Sequence, residues 1–310
     1  MRNWLLLSSL IIILLSCQRD VDPTPNPDPP PTPTHRDTLN GWQKIETNLP
    51  DEFPDIAFIT PAVGFLAGGK ATYKTADSGK TWVVEPTITS RPVTINFLNN
   101  QYAFAVGHPN MAFTRNGGAS WQVKNAPAAI DVAFVTPSTG YIIGNSVYKT
   151  VDTGNTWQPV GNRWGIPSST IFFINEQQGW YAVSDTIYQT LNGGTNWTGK
   201  KIGAGRIQTV FFSDPLNGWL TADTSVYRTT NGGTTWIKSS VGAVTVDVQF
   251  LNTQVGYVSV YDGVFKTTDS GVTWVRSLTA PLSPFPELIF LDENTGWVTG
   301  SGNIIYRWKK

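Results

Sequence analysis

The chain has 310 residues with 22 basic and 22 acidic side chains, a formal net charge of +0 at pH 7, and only 14% charged residues. It therefore lacks the basic excess through which proteins hold nucleic acid. It carries 13 tryptophans but 1 cysteine, so large apolar side chains, and no intrachain disulfide, must hold any fold together.

At the N-terminus, Arg2 gives a positive start, Trp4 to Leu15 an apolar run of twelve residues, and Leu14-Leu15-Ser16-Cys17 a processing motif. Twelve apolar residues fall short of the roughly twenty that span a bilayer as a helix. The segment resembles a bacterial lipoprotein signal, with residues 1–16 as the signal peptide. That resemblance implies a lipidated Cys17, whose several acyl chains would anchor the protein stably to a membrane. The polar start Gln18-Arg19-Asp20-Val21-Asp22 resembles the surface-export signal of Bacteroidota lipoproteins. It implies an outer-membrane lipoprotein exposed at the cell surface.

Residues 17–40 read as the lipidated cysteine and a tether. From Pro23 to Pro33 every second or third residue is proline, which removes backbone donors and favours an extended spacer. At about 3.1 Å per residue, Asp20 to Asn40 would reach roughly 60 Å.

Residues 41–310 carry an internal period of about thirty-eight residues. Six octets, Thr-x-(Asp/Asn)-x-Gly-x-(Ser/Thr/Asn)-Trp, end at Trp82, Trp121, Trp157, Trp197, Trp236 and Trp274. A second motif, a Phe followed after about six residues by a Gly-aromatic pair, occurs seven times, at Phe58, Phe97, Phe134, Phe173, Phe212, Phe250 and Phe290. Its second copy departs, with Ala103 in place of glycine.

Each unit reads as four short strands; in the third they are 130–135, 140–143, 147–150 and 157–160. Four-stranded units of this length are propeller blades. The motif counts predict seven blades, with the strand around Trp42 completing a last blade that otherwise ends on Ile304 to Trp308. The fold class is all-β, a seven-bladed β-propeller closed by its N-terminal strand.

The octets resemble the BNR or Asp-box repeats of sialidases and sortilin-type receptors. Together with the Phe-Gly-aromatic motif, they most resemble the photosystem II assembly and stability factor propellers. The resemblance implies that each octet is the hairpin between third and fourth strands, held by its Asp or Asn. Asp77, Asn116, Asp152, Asn192, Asn231 and Asp269 are accordingly structural. Half are amides, which an acid/base or calcium role would not tolerate.

No catalytic, cofactor-binding or metal-ligating set emerges. The Arg-Ile-Pro motif that carries a sialidase's first arginine is absent before the first box. His35 falls in the tether and His108 stands alone. The candidate partner contacts are residues of the irregular segments: Arg163 and Trp164 in a long inter-blade loop, with Arg91, Arg206, His108, Asp185, Asp223 and Asp262. The three aspartates lie in second-to-third-strand turns, where turn chemistry is the plainer explanation. A cation follows the third-strand aromatic in five blades (Lys74, Lys149, Arg228, Lys266, Arg307). It reads either as a stem lying along the blade or as a positive ring.

The expected function is a lipid-anchored protein-binding or complex-assembly module without enzymatic activity. The alternative is a carbohydrate-binding or sialidase-like glycosidase propeller. Its partners are then the membrane through the anchor and a protein or a glycan, not nucleic acid.

Overall fold

The computed structural model describes residues 39–50, 53–88, 91–108, 110–161 and 170–310. These form seven four-stranded antiparallel sheets. The first is built from Asp55–Phe58, Gly64–Ala67, Thr72–Thr75 and Val83–Val84. In the third blade the strands are Asp131–Phe134, Gly140–Ile143, Val147–Thr150 and Gln158–Pro159. The inner three match the sequence reading to within a residue or two, and the outer one shrinks to two residues.

The ring closes as the motif counts require. Strand Trp42–Glu46 pairs with Ile304–Lys309, in the register Trp42 to Trp308 and Glu46 to Ile304. Trp42 is buried, meets Phe290 edge-on with centroids 5.8 Å apart, and donates from Nε1 to Ser277 Oγ of the sixth blade at 3.0 Å. The N-terminal strand is thus bound to two blades at once.

The Phe-Gly-aromatic motif explains how blades hold one another. In six blades the motif Phe pairs across the ladder with the motif Gly, as in Phe58 with Gly64 and Phe212 with Gly218. The ring lies over that glycine so closely that a Cβ would stand 2.4–2.6 Å from it in six blades. The aromatic following each glycine then stacks on the Phe of the next blade. The pairs are Phe104–Phe134 at 3.3 Å, Tyr141–Phe173 at 3.6 Å, Trp180–Phe212 at 3.5 Å and Trp219–Phe250 at 3.6 Å. Tyr257–Phe290 follows at 3.7 Å, and Trp297–Phe58 crosses the closing seam at 3.5 Å.

The seventh pair is the exception, and the sequence says why. Ala103 sits opposite Phe97, so its methyl occupies the space that glycine leaves elsewhere. Phe97 is only partly buried, and its ring tilts to 5.8 Å and 37° from Phe65. An isolated pair of rings prefers offset or edge-on contact. The face-to-face stacks therefore reflect confinement between a glycine and an edge-on tryptophan. Gly218→Ala is expected to displace Phe212 and lower unfolding free energy by about 1–3 kcal/mol, measured by chemical denaturation; an unchanged midpoint would contradict this packing.

Candidate functional site

The octets form tight hairpins on one face of the ring. The box Thr hydroxyl donates to the Asp or Asn Oδ1, at 2.8 Å in Thr150–Asp152 and 3.0 Å in Thr229–Asn231, and accepts the N–H of the glycine four residues on. Oδ1 also accepts the N–H of the residue before Trp, such as Thr156 at 2.9 Å and Thr235 at 2.8 Å. Carboxylate and amide interchange because the hydroxyl can turn round. Thr156 Oγ1 donates to Asp152 Oδ2, whereas Asn231 Nδ2 donates to Thr235 Oγ1.

The bonds from Thr156 hold the Asp152 carboxyl down at about 2, and those from Thr273 do the same for Asp269. These six residues serve the turn. Of the tryptophans at this position, Trp42, Trp82 and Trp121 are buried, while Trp157, Trp197, Trp236 and Trp274 are half-buried. Trp180, Trp219 and Trp297 are fully buried, as their repeated position predicts. Thr150→Val strands the buried Gly154 N–H and is expected to cost about 1–3 kcal/mol; Asp152→Asn, which keeps Oδ1, should stay near wild type by the same denaturation assay.

The opposite face carries the inter-blade connections and the second-to-third-strand turns. Asp185, Asp223 and Asp262 reach it, each engaged locally. Asp185 pairs with Lys201 at 3.1 Å, Asp262 with Arg276 at 3.3 Å, and Asp223 accepts the Gly205 N–H at 2.8 Å. Arg206 immediately precedes strand Ile207–Phe212, and Arg91 and His108 are cross-strand partners in the second blade. Arg163, Trp164, Cys17 and the leader lie outside the described residues. Tyr261 and Phe285, 48% and 67% exposed, also stand on this face.

The repeated cations are mostly committed to the ring. Lys74 Nζ donates to Gly118 O of the next box at 2.8 Å, and Lys149 Nζ to Gly193 O at 3.2 Å. Lys266 lies over Tyr257 and Arg307 over Trp297. Arg228 instead lines a polar cleft of about 270 Å³ between the fifth and sixth blades, with Thr230, Thr253 and Gln254. A larger cleft, about 650 Å³, opens at the closing seam on the connection face. It is walled by Leu49, Pro50, Pro54, Lys70 and Asn303, and Lys70 Nζ donates to Pro50 O at 3.0 Å.

The channel holds a feature that residue identity concealed. Three positions before each motif Phe stand Asp55, Thr94, Asp131, Thr170, Thr209, Asp247 and Glu287, one per blade. The innermost strand of each blade has a free edge whose N–H groups need acceptors. Asp131 Oδ2 accepts the Ile171 N–H of the next blade at 2.8 Å and the Thr170 hydroxyl at 3.1 Å. Asp247 Oδ2 accepts the Leu288 N–H at 3.2 Å, and Asp55 Oδ2 accepts that of Ile95.

Burial raises the Asp55 carboxyl to about 7 and Asp131 to about 6, and it also raises Asp247. Glu287 is raised well above the usual range by burial, by the charges of Asp247 and Asp55, and by its hydrogen bond to Asp247. Among the described residues, no group of three His, Cys, Asp or Glu is placed to hold a metal ion.

With this ring and its clefts in view, the family described as photosynthesis system II assembly factor YCF48 matches residues 34–126. The chain resembles the photosystem II assembly-factor propellers. The photosystem II assembly protein Ycf48 of Synechococcus sp. (strain JA-2-3B'a(2-13)) is 29% identical over an alignment covering 39% of this chain and 42% of the relative. The match thus spans less than half of either protein. A solved structure of YCF48 bound to D1 peptide superposes with TM-score 0.72 at 18% identity, over 87% of this chain and 97% of that one. A GH74 xyloglucanase from Xanthomonas campestris superposes at 0.66 and 11% identity, over 86% of this chain and 53% of the enzyme. At such identities the structural likenesses establish the fold.

Proposed function

We propose that this chain is a membrane-tethered, non-catalytic propeller that binds a segment of a protein partner during assembly of a larger complex. The observation that carries the reading is the Ycf48-type match at residues 34–126, which contains most of the seam cleft. The cleft's apolar and proline wall, with Lys70 at its edge, suits an extended peptide. Lipidation of Cys17 and the proline-rich tether would hold the ring clear of an outer membrane, with its faces open at the cell surface.

The carbohydrate alternative draws on exposed Tyr261 and Phe285. The channel carboxylates of Asp131 and Asp247 are engaged by backbone N–H groups of the inner strands, which weakens that reading.

Affinity capture from native membranes, run beside a glycan array, tests the proposal. Wild type should retain a defined protein partner, Lys70→Glu should lose it at unchanged melting temperature, and Cys17→Ala should release the protein from the membrane fraction. Glycan hits with no co-purifying protein would overturn the reading.

A further inference from the structure

We propose that Arg228 forms a binding site for a carboxylate on the box face, at the junction of the fifth and sixth blades, separate from the seam cleft and independent of the function proposed for it.

The site arises where the bonding of the repeat changes hands. The motif aromatic pairs across the ladder with the position of the repeated cation, as Tyr141 with Lys149, Trp219 with Arg228 and Trp297 with Arg307. In the third blade the carbonyl of the fourth residue in the next box, Gly193 O, accepts from Lys149 Nζ and from the Tyr141 hydroxyl, each at 3.2 Å. Where the aromatic is Trp219, its indole Nε1 donates to the equivalent carbonyl, Ser270 O, at 2.9 Å, and Arg228 makes no bond to it. Trp297 repeats the exchange on Ser78 O at 3.3 Å, but there Arg307 is buried and lies over the Trp297 ring, 5.7 Å from its centroid. Lys74 and Lys149 thus hold box carbonyls, while Lys266 and Arg307 lie over rings. Among the described residues, Arg228 has no hydrogen bond, ion pair or ring contact.

A second bridge is missing at the same junction. In the fourth blade Gln178, just before the motif Gly, donates from Nε2 to Pro215 O of the fifth blade at 3.1 Å. Its counterpart Asn217 donates instead within its own turn, to Asp214 Oδ2 at 2.8 Å, and the cleft between the two blades stays open.

Arg228 is half-buried in that cleft of about 270 Å³, beside Thr230, Thr253, Gln254 and Ser270. The side chains of these four make no hydrogen bond among the described residues. No acidic side chain lines the cleft, and the acids adjoining it are occupied: Asp269 accepts from Thr273, and Asp214 from Leu216 and Asn217. A partly desolvated cation without a counter-charge is unfavourable, and an incoming anion relieves it. One guanidinium balances a single negative charge, and its planar fork matches the two oxygens of a carboxylate. The three hydroxyls and the Gln254 amide supply further donors. The carboxylate could come from an acidic side chain of a polypeptide or from a free small acid.

The test titrates the full chain with propionate and, separately, with the capped peptide acetyl-Gly-Glu-Gly-amide, reading the Arg228 Nε–H resonance by NMR and the affinity by calorimetry. At least one probe should move that resonance to saturation, propionate for a free-acid ligand and the peptide for a polypeptide one. Neutral acetyl-Gly-Gln-Gly-amide should leave it in place. Arg228→Gln should keep the wild-type melting temperature and weaken binding at least about tenfold. Arg228→Lys, which keeps the charge without the fork, should also bind more weakly than wild type. Lys70→Glu should bind the probes as wild type does, which separates this site from the seam cleft. A shift that never saturates, an equal shift from the neutral peptide, or an affinity unchanged in Arg228→Gln or Arg228→Lys would overturn the site.

Discussion

Six phenylalanines lie flat over a cross-strand residue that has no side chain, and each receives on its other face an aromatic ring from the preceding blade. The contact requires three things together: a glycine, a ring above it, and a neighbouring blade at the right distance. Burying each Phe is worth roughly 1.5–3 kcal/mol, and the same contact fixes the angle between blades. Trp297 on Phe58 makes it across the closing seam, so the last blade meets the first by the rule that joins the others. Where the rule is broken, at Ala103, the stack tilts and the ring is held there by less.

The remaining framework follows from the need to satisfy edges. Outer strands are tied down by the box hairpins, whose Thr and Asp or Asn side chains absorb the turn's N–H groups. Inner strands are tied by the channel acids, which supply acceptors that no fifth strand provides. The two sets of carboxyls sit in opposite environments. Asp152 accepts bonds near solvent and is held acidic, whereas Asp55 is buried among other acids and holds its proton to about neutrality.

Much of this was legible in the chain. The seven Phe motifs and the pairing of Trp42 with the C-terminal strand predict the blades and the closure, because period and register survive substitution. The burial of Trp180, Trp219 and Trp297 and the structural role of the boxes follow from repetition alone. The channel ring was hidden because its seven positions share a register but not a residue type, being Asp, Thr or Glu. Counting three places back from each Phe would have found it. The seam cleft was hidden for a different reason: its walls come from a connection and two turns that meet only when the ring closes. Asp185, Asp223 and Asp262 read as contacts because of charge, and the structure adds a local partner for each, in Lys201, the Gly205 N–H and Arg276.

On the proposed function, the repeat builds the ring while binding falls where the repeat is interrupted. Hydrogen–deuterium exchange of the full chain, alone and with its captured partner, tests this most directly. New protection should appear at Leu49, Gly69, Lys70, Gly302 and Asn303, with the box hairpins unchanged. Protection confined to the box hairpins or the outer strands, with the seam unaltered, would contradict it.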